Sequence, residues 1–517
     1  MLVHHFLEFY ARNTPAQACL TQGEVSHSYG ETDATANQLA RGLLDLGVEK
    51  GQRVGVLGEN SYEHLVLLMA ASKIGAVTVP LNYRLAPAEL AFVIADARTR
   101  VLLVLDGMES LLEALLEQLP ADLTVMTRDY PDTLLWQDCA SQFAASAPES
   151  KVDREDAFIQ LYTSGTTGNP KGVVSSHFNI VSLTMMNNVG MTQRPDPGTA
   201  GIVCAPLFHI GGAGSVVSGI YNGQHTILHR SFDPVNLLDD IERYPVTSIF
   251  LVPAMIMAIL AVPGVEQRDF SRIKQIFYGA SPISETLLRR ALQVFQCDFS
   301  QMYGMTETTG TVVGLSPADH RLALAGKPEL LRSCGRPSVG ARARVMDPQG
   351  NPVAAGEIGE IWLRSDTNMI GYYNLPEATA ANLTDGWVHT GDAGYMDEEG
   401  YLYLKDRIKD VVVSGAENIY PVEIENALAQ HEAVADVAVI GVPDEKFGEA
   451  LLAFVVTKPG LNLTLDEMIS FCRDKIAGYK IPRQMEVVQE LPRNPSGKIL
   501  KKVLREPFWQ DKDRAIG

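Results

Sequence analysis

A short run of glycines and hydroxylated residues is the first candidate for chemistry. The segment 163–172 has the sequence TSGTTGNPKG and follows the apolar stretch Phe158–Tyr162. Glycines let backbone N–H groups approach an anion, the hydroxyls donate hydrogen bonds, and Lys171 adds positive charge. This composition predicts phosphate binding, although a flexible surface loop has the same composition. Because Pro170 stands where a P-loop needs its second glycine, the P-loop nucleotidases are disfavoured.

Four later segments carry side chains that suit a nucleotide and its cation: 303–307 (YGMTE), 387–392 (WVHTGD), 406–410 (DRIKD) and 495–498 (PSGK). A glutamate suits hard Mg²⁺, and an aspartate accepts two hydroxyl hydrogen bonds. Arginine and lysine supply positive charge for phosphate. Taken singly, each has an ordinary alternative, such as a surface acid, a turn aspartate, a linker arginine or a solvated tail lysine.

In this order, the five segments resemble the motifs of the adenylate-forming superfamily, which includes acyl- and aryl-CoA synthetases, firefly luciferase and peptide-synthetase adenylation domains. The resemblance spans nearly the whole chain. It implies that Tyr303 lies against adenine, that Asp392 accepts the ribose hydroxyls, and that Lys409 is a hinge between two domains. It also implies that Lys498 stabilises charge at the α-phosphate, where an ammonium favours the transition state over the ground state.

The resemblance assigns nucleotide-binding, catalytic, metal-binding and CoA-tunnel residues, with ATP, Mg²⁺ and CoA as cofactors. The implied nucleotide-binding residues are Thr163, Ser164, Gly165, Thr166, Thr167, Gly168, Lys171, Gly279, Ala280, Ser281, Gln301, Met302, Tyr303, Gly304, Thr306, Asp392, Arg407 and Lys498. The implied catalytic residues are Lys498, Glu307, Thr163 and His209. Two of these, Thr163 and Glu307, are also the implied metal ligands. The implied CoA tunnel is formed by Ser414, Gly415 and Ala416, and Ala416 replaces the glycine that the family often has there.

The implied acyl pocket is apolar and contains several small residues. Its positions are Met185, Met186, His209, Ile210, Gly211, Gly212, Met305, Thr308, Thr309 and Gly310. Because the set has no lysine or arginine, a hydrophobic monocarboxylic acid fits better than a dicarboxylate. For His209 a structural role stays open beside a pocket-lining one. His225 and His229 lie in a strand-like stretch and are interpreted as structural, because residues four apart share a face only on a helix.

Periodicity predicts the elements that position these residues. Short apolar stretches such as Arg53–Leu57 and Thr247–Val252 alternate with helical segments such as Ser61–Lys73, a pattern typical of parallel sheets covered by helices. After about residue 335, short strands with glycine turns indicate a small β-barrel. We therefore expect an α/β fold in which a large N-terminal domain, residues 1–405, has two helix-covered sheets and a small distorted β-barrel. A hinge at 406–410 and a mobile α+β domain at 411–517 would complete the chain.

Composition limits the class of protein. The chain has 517 residues, 43 basic and 62 acidic side chains, and a formal net charge of −19, which disfavours nucleic acid and anionic membranes as partners. No apolar stretch is long enough to cross a bilayer, and the N-terminus lacks the pattern of a signal peptide. Six cysteines without a CxxC pair are typical of a reduced chain, so we expect a cytoplasmic protein. A homodimer is compatible with the sequence.

The sequence therefore predicts an ATP-dependent acid–CoA ligase that acts on a fatty, cyclic or aromatic acid through an acyl-adenylate. The 517 residues contain no carrier-protein domain, which favours a soluble thiol as acceptor. C-terminal basic residues could attract CoA phosphates, although a solvated face explains most of them; these are Lys480, Arg483, Arg493 and Lys501. The alternatives are an adenylating enzyme that loads a carrier protein or another acceptor, and a non-catalytic nucleotide-binding homologue.

Overall fold

The computed structural model describes residues 1–131, 133–163, 169–189, 198–281, 283–414, 417–444, 448–473, 475–493 and 499–509, without the side chains of residues 409, 417 and 418. The fold is mixed α/β, with a large N-terminal domain of sheets and helices and a smaller C-terminal domain, as the sequence predicts. Described helices contain no segment long and apolar enough to cross a membrane.

Strands of the large domain run from β1 to β22. They are β1 Ala18–Gln22, β2 Val25–Ser28, β3 Arg53–Leu57, β4 Val77–Leu81, β5 Thr99–Val104, β6 Thr124–Thr127, β7 Leu134–Leu135, β8 Ala157–Thr163, β9 Lys171–Ser176, β10 Ala200–Val203, β11 His225–Leu228, β12 Val246–Leu251, β13 Gln275–Gly279, β14 Asp298–Met305, β15 Gly310–Leu315, β16 Arg336–Pro337, β17 Arg342–Met346, β18 Gly359–Arg364, β19 Gly371–Tyr372, β20 Leu383–Thr384, β21 Trp387–Met396 and β22 Leu402–Arg407. Strands of the small domain are β23 Val412–Ser414, β24 Glu417–Ile419, β25 Val434–Asp444, β26 Gly448–Thr457 and β27 Gln484–Val487.

Most helices also belong to the large domain. These are α1 His4–Asn13, α2 Tyr29–Asp45, α3 Tyr62–Ile74, α4 Pro87–Asp96, α5 Glu109–Leu115, α6 Trp136–Ser141, α7 His177–Val189, α8 Ile210–Tyr221, α9 Pro234–Arg243, α10 Pro253–Leu260, α11 Glu285–Phe295, α12 Pro317–Leu324 and α13 Pro376–Asn382. The small domain contains α14 Pro421–Leu428, α15 Leu465–Arg473 and α16 Lys501–Trp509. Single 3₁₀ turns occur at Leu116–Gln118, Val265–Gln267, Thr306–Thr308, Pro328–Arg332, Ile408–Asp410 and Gly478–Lys480.

Two large sheets form the body of the N-terminal domain. The nine-stranded sheet has the order β16-β15-β14-β13-β12-β10-β11-β1-β2, and the eight-stranded sheet has the order β19-β9-β8-β4-β3-β5-β6-β7. Parallel pairs form the centre of each sheet, and antiparallel strands β15 and β9 flank the strands that carry the predicted motifs. A five-stranded sheet of β17, β18, β20, β21 and β22 follows, where the sequence predicts a β-barrel.

Helix α3 shows how local sequence and burial agree. Ser61 caps its first turn by accepting the His64 N–H, and Gly75 ends it in the left-handed conformation at φ +72°. Every residue from His64 to Ile74 is buried, because this helix packs on all sides within the large domain. The long apolar stretch that contains Leu65–Ala71 is therefore core, as its length predicts.

The small domain begins where the five-stranded sheet ends. Strand β22 continues to Arg407, two residues beyond the predicted domain limit, and the turn Ile408–Asp410 leads into β23. Strands β23–β27 form a sheet of their own, and helices α14 and α15 bury their apolar residues against it. A single turn, Ile408–Asp410, therefore lies between two units that have their own buried cores.

Candidate active site

Asp392 is the centre of a buried hydrogen-bonded cluster. The Tyr303 hydroxyl donates to its Oδ2 at 2.7 Å, and the Arg407 Nε lies 2.8 Å from its Oδ1. Strand register produces this arrangement, because Asp392 on β21 stands opposite Arg407 on β22. Thr390 completes the cluster, since its carbonyl accepts from Arg407 at 2.9 Å and its hydroxyl accepts from the Asp392 N–H at 3.0 Å. Three predicted nucleotide-binding residues therefore meet at one point.

The protonation state of this cluster follows from its burial. Burial raises the pKa of Tyr303 well above its usual range, and the Asp392 carboxylate raises it further. Tyr303 therefore stays neutral and donates a hydrogen bond to Asp392. A carboxylate has about four lone-pair positions, of which Tyr303 and Arg407 use two. Asp392 thus retains acceptor capacity for two further hydroxyl donors, as a ribose would supply.

The turn between β14 and β15 places Glu307. Any Cβ on Gly304 would overlap the Gly310 carbonyl oxygen, so only glycine permits this close approach. Thr309 has φ +53°, a rare conformation for a β-branched residue. Its hydroxyl bonds Ser175 at 2.8 Å, and the Thr308 hydroxyl donates to the Gly310 carbonyl at 2.7 Å. The Thr308 hydroxyl therefore bonds within the turn that presents Glu307, and the Thr309 hydroxyl connects that turn to β9.

Glu307 itself is buried, with 8% of its surface exposed, and has a specific partner. The Tyr372 hydroxyl donates to its Oε1 at 2.9 Å, and the Lys171 ammonium lies 5.1 Å from the centre of the Tyr372 ring. Tyr372 reaches this place because β19 pairs with β9, and Lys171 begins β9 directly across from Thr163 on β8. One carboxylate beside substrate phosphates is a typical ligand set for Mg²⁺. Sequence analysis did not identify Tyr372, whose role depends on an edge-strand pairing.

The end of β13 is shaped by backbone constraints. A Cβ on Gly279 would overlap the Met302 carbonyl oxygen on β14, so the two strand ends approach closely. Ala280 is exposed and has φ +67°, a conformation that costs a non-glycine residue roughly 1–3 kcal/mol. Ser281 follows it, and Gln301 on β14 accepts a hydrogen bond from Tyr278 at 3.4 Å. The strand end is therefore constrained by close backbone approach and by a positive φ at Ala280.

His209 is one of the residues predicted to line the acyl pocket. It occupies the N-cap position of α8, and its Nε2 is buried without a hydrogen-bond partner among the described residues. Burial, with a smaller effect from Arg84, lowers the pKa of His209 to about 4, so the ring is neutral at physiological pH. Asn60 holds the preceding loop by donating to the Ala205 carbonyl and accepting the Leu207 N–H. Asn60 is a positioning residue that sequence analysis did not identify.

Four elements meet at the predicted acyl-pocket positions near His209. A Cβ on Gly310 would lie 3.5 Å from Leu183 on α7 and 3.6 Å from Ile210 on α8, and one on Gly211 would lie 3.1 Å from the Phe250 ring. Leu183 and Phe250 are therefore neighbours of predicted pocket positions that the sequence did not reveal. Among the other predicted pocket residues, Met186 is buried, Met185 is exposed, Met305 is half-buried, and Gly212 packs tightly against the Pro206 carbonyl.

A second cluster of buried charges lies where the two domains join. Asp406, at the end of β22, accepts the Val422 N–H of α14 at 3.1 Å, and Lys501 of α16 lies 3.9 Å from it. Lys501 also pairs with Glu425 at 2.9 Å, and Arg505 pairs with Asp410 at 2.7 Å. Burial raises the pKa of Asp406 to about 6, an effect that the neighbouring Lys501 opposes. The C-terminal helix therefore anchors to the predicted hinge through charge.

Several predicted residues have partners outside the Asp392 cluster, and others lie outside the described residues. Lys480 pairs with Glu423, and Arg493 pairs with Asp436, so these cations already have partners within the small domain. Ser414 is half-buried on β23, and Thr306 begins the turn that contains Glu307. His225 bonds Thr21 and His229 bonds Asp240, in agreement with structural roles. Outside the described residues lie Ser164, Gly165, Thr166, Thr167, Gly168, Gly415, Ala416, Lys498 and the side chain of Lys409.

Comparison with protein families identifies two matching models. The model described as AMP-binding enzyme matches residues 7–373, and the model described as AMP-binding enzyme C-terminal domain matches residues 423–498. The first match covers well over half of the chain. The unmatched interval between the two models contains both Asp392 and the junction of the two domains.

Similar proteins use different acceptors. A fatty acid–[acyl-carrier-protein] ligase, ScoC of Streptomyces coeruleorubidus, is 36% identical over 98% of this chain and 96% of its own length. A feruloyl-CoA synthase of Amycolatopsis sp is also 36% identical, over 96% of this chain and 97% of its own. Among solved structures, the amide bond synthetase McbA from Marinactinospora thermotolerans has a TM-score of 0.88 and 28% identity, over 98% of this chain and 100% of its own.

Proposed function

The chain belongs to the AMP-binding enzymes, and we propose that it is an acid–CoA ligase that converts a hydrophobic monocarboxylic acid to its acyl-CoA with ATP as the second substrate. The proposal depends mainly on the Asp392 cluster. Tyr303, Asp392 and Arg407 come from three separate motifs, and they meet through bonds of 2.7 and 2.8 Å in a buried position. A cluster that joins an aromatic ring, an acceptor and a cation suits a nucleotide.

In the first step, a carboxylate oxygen of the acid attacks the α-phosphorus of ATP. The bond from that phosphorus to the bridging oxygen breaks, and pyrophosphate leaves. Asp392 and Arg407 orient the ribose side of the nucleotide, and Lys498 stabilises the negative charge that develops at phosphorus. Neutral His209, at the start of α8, lines the acid side of the reaction without adding a charge of its own.

Glu307 and Thr163 are the residues that would hold Mg²⁺, which when bound neutralises phosphate charge. The buried Glu307 carboxylate fits a hard cation, because the Tyr372 hydroxyl orients it through one oxygen. Lys171 adds a positive charge near the Tyr372 ring. With Mg²⁺ bound, Glu307, Thr163 and Lys171 would together favour a polyphosphate there.

In the second step, the thiolate of CoA attacks the carbonyl carbon of the acyl-adenylate, and AMP leaves. We propose that the small domain rotates about Lys409 between the two steps, so that Lys498 serves only the first. The small residues Ser414, Gly415 and Ala416 support a narrow thiol path. Transfer to a carrier protein or to another acceptor such as an amine is the alternative; a 36% identical relative is named for the first, and a 28% identical solved structure for the second.

Pyrophosphate exchange tests the first step. Purified protein is incubated with ATP, labelled pyrophosphate and single acids from a panel of fatty, cyclic and aromatic acids, and label that enters ATP is measured. We expect exchange with at least one hydrophobic acid. Acyl-CoA is then measured with free CoA as acceptor. Exchange without acyl-CoA would favour the carrier-protein alternative, and no exchange with any acid would exclude the proposed function.

A lysine substitution separates the two steps. Lys498→Ala should reduce adenylate formation by at least about 100-fold, the usual loss on removing a charge-stabilising donor. The same variant should convert synthetic acyl-adenylate and CoA to acyl-CoA at a rate close to that of the unchanged protein. Lys502→Ala is the matched control, because Lys502 is an exposed lysine four residues away. Equal loss in both steps would contradict domain rotation.

A further inference from the structure

A row of hydrogen-bonded side chains, the Gln160 network, joins β3, β8 and the end of α4. It consists of Arg53, Gln160, Tyr162 and Asp96. The Arg53 Nε donates to the Gln160 Oε1 at 3.1 Å, and the Gln160 Nε2 donates to the Tyr162 hydroxyl at 3.0 Å. That hydroxyl donates to the Asp96 Oδ2 at 2.6 Å. Gln160 has 0% of its surface exposed, so its amide is paired inside the protein and not with solvent.

Chemistry fixes the direction of every hydrogen bond in the Gln160 network. A guanidinium only donates, so Gln160 turns its carbonyl oxygen to Arg53 and its amide N–H to Tyr162. Tyr162 then uses its own proton toward Asp96, and burial, together with Asp96, raises the pKa of Tyr162 so that the proton stays on it. The network therefore runs from a cation to an anion with all donors aligned, an arrangement in which neighbouring hydrogen bonds strengthen one another.

Gly172 on β9 packs directly on the centre of the network. It is the register partner of Tyr162, and a Cβ on it would lie 2.6 Å from the Gln160 Nε2 and 3.0 Å from the Tyr162 Cζ. The next register pair along these two strands is Thr163 with Lys171, two residues predicted to bind the nucleotide. The network therefore lies one residue away from the place where both are held.

The cationic end of the network reaches a second part of the site. The guanidinium carbon of Arg53 lies 3.8 Å from the centre of the Tyr373 ring, a stacking contact that a planar guanidinium favours. The Tyr373 N–H donates to the Gly172 carbonyl at 2.8 Å. Tyr372, the preceding residue, donates its hydroxyl to Glu307. One buried network therefore supports both the strand that begins at Lys171 and the segment that orients Glu307.

We propose that the Gln160 network positions the ATP site, by holding Lys171 and Glu307 at a fixed spacing. This inference depends on the proposed function and adds to it residues that the motif resemblance does not assign. Gln160 and Tyr162 act through Lys171, so they are positioning residues. Charges held in place before the substrate arrives need no rearrangement when it binds, and small displacements of such groups are costly. Loss of the network should therefore weaken ATP binding while the acid side stays unchanged.

Tyr162→Phe interrupts the network at its centre. Titration calorimetry with ATP and Mg²⁺ should show affinity reduced at least about tenfold, the usual loss when a hydrogen bond to a charged group is removed. In the exchange assay, the KM for ATP should rise by the same factor, and the KM for the acid should stay unchanged. Conversion of synthetic acyl-adenylate and CoA should also continue at the rate of the unchanged protein. Tyr130→Phe is the matched control, because Tyr130 makes a 3.5 Å bond to Glu113 on the surface.

Two substitutions of Asp96 separate positioning from folding. Asp96→Asn retains an acceptor for the Tyr162 hydroxyl and should bind ATP with an affinity close to that of the unchanged protein. Asp96→Ala removes the acceptor and should reproduce the loss caused by Tyr162→Phe. A merely structural role would lower kcat in both half-reactions, through a smaller folded fraction, and leave ATP affinity and the KM for ATP unchanged. That result, or unchanged ATP affinity in Tyr162→Phe and Asp96→Ala, would overturn the inference while the proposed function stands. Absence of ATP binding by the unchanged protein would overturn both.

Discussion

The Asp392 cluster and the junction cluster are both buried groups of acids and cations, yet they are built differently. Asp392 receives directed bonds of 2.7 and 2.8 Å from side chains of the large domain alone. Asp406 receives the Val422 N–H and a lysine 3.9 Å away, both of which belong to the small domain. The first cluster lies within one unit, whereas the second joins two.

The two clusters differ in how their buried charges are compensated for lost hydration. Short bonds to both oxygens of Asp392 compensate the loss of its hydration, so its geometry is determined locally. At the junction, Lys501 is shared between Asp406 and Glu425, and burial raises the pKa of Asp406 to about 6. The compensation of these charges crosses a domain boundary, so it depends on how the two domains are oriented. The same residue types can therefore form either a fixed site or a contact that depends on domain orientation.

Removal of the shared cation should have the largest effect. Lys501→Gln leaves Asp406 and Glu425 buried without a cation, which typically costs 3–5 kcal/mol when one partner of a buried pair is removed. We expect faster amide hydrogen exchange and faster proteolysis at 408–410. Lys502→Gln is the control, because that lysine is exposed. Unchanged exchange at 408–410 would show that the junction does not depend on this charge set.

Loss of the Asp392 charge should have a smaller energetic effect. It should slow adenylate formation without altering the contact between the domains. Asp392→Asn leaves Arg407 without its carboxylate, and we expect adenylate formation to fall by about 100-fold, or roughly 2.7 kcal/mol. Hydrogen exchange at 408–410 should stay as in the unchanged protein. Altered exchange there, with adenylation intact, would remove the distinction between the two clusters. Glu360→Gln, a neighbouring carboxylate on β18, serves as the comparison variant.

The smallest expected effect is a change of folding stability with pH. Because the folded-state pKa of Asp406 is raised from 3.8 to about 6, the folded protein retains a proton that the unfolded chain has lost. This contribution to stability is complete below pH 3.8 and disappears as the pH rises through 6. Between pH 5 and 7 it should amount to a loss of about 1 kcal/mol.

Denaturation of the unchanged protein and of Asp406→Asn, measured across the same pH range, isolates that contribution. The variant should lack it, so the difference in unfolding free energy between the two proteins should change by about 1 kcal/mol from pH 5 to pH 7. A difference that stays constant with pH would show that Asp406 titrates as an ordinary surface acid. Asp385→Asn, on an exposed turn, should show no pH-dependent difference.

Much of the architecture was predictable from periodicity. Arg53–Leu57 is a strand with the predicted limits, and the helix predicted from Ser61 to Lys73 begins at Tyr62 and ends at Ile74. Both succeed because their burial is nearly uniform and their caps, Ser61 and Gly75, are local signals. Pairing of β22 with β21 continues to Arg407, two residues past the limit predicted for the large domain.

The sequence by itself determined which functional side chains are present, namely Glu307, Asp392 and Arg407, and the order of their segments resembles one family. Only the tertiary structure decided which groups meet. Tyr372 reaches Glu307 through a two-residue edge strand, and Phe250 meets Gly211 because a helix crosses the sheet at that level. Such contacts join residues tens of positions apart through register and packing. The local sequence determines the conformational preference of a residue. It does not determine the distance to a partner that only folding brings close.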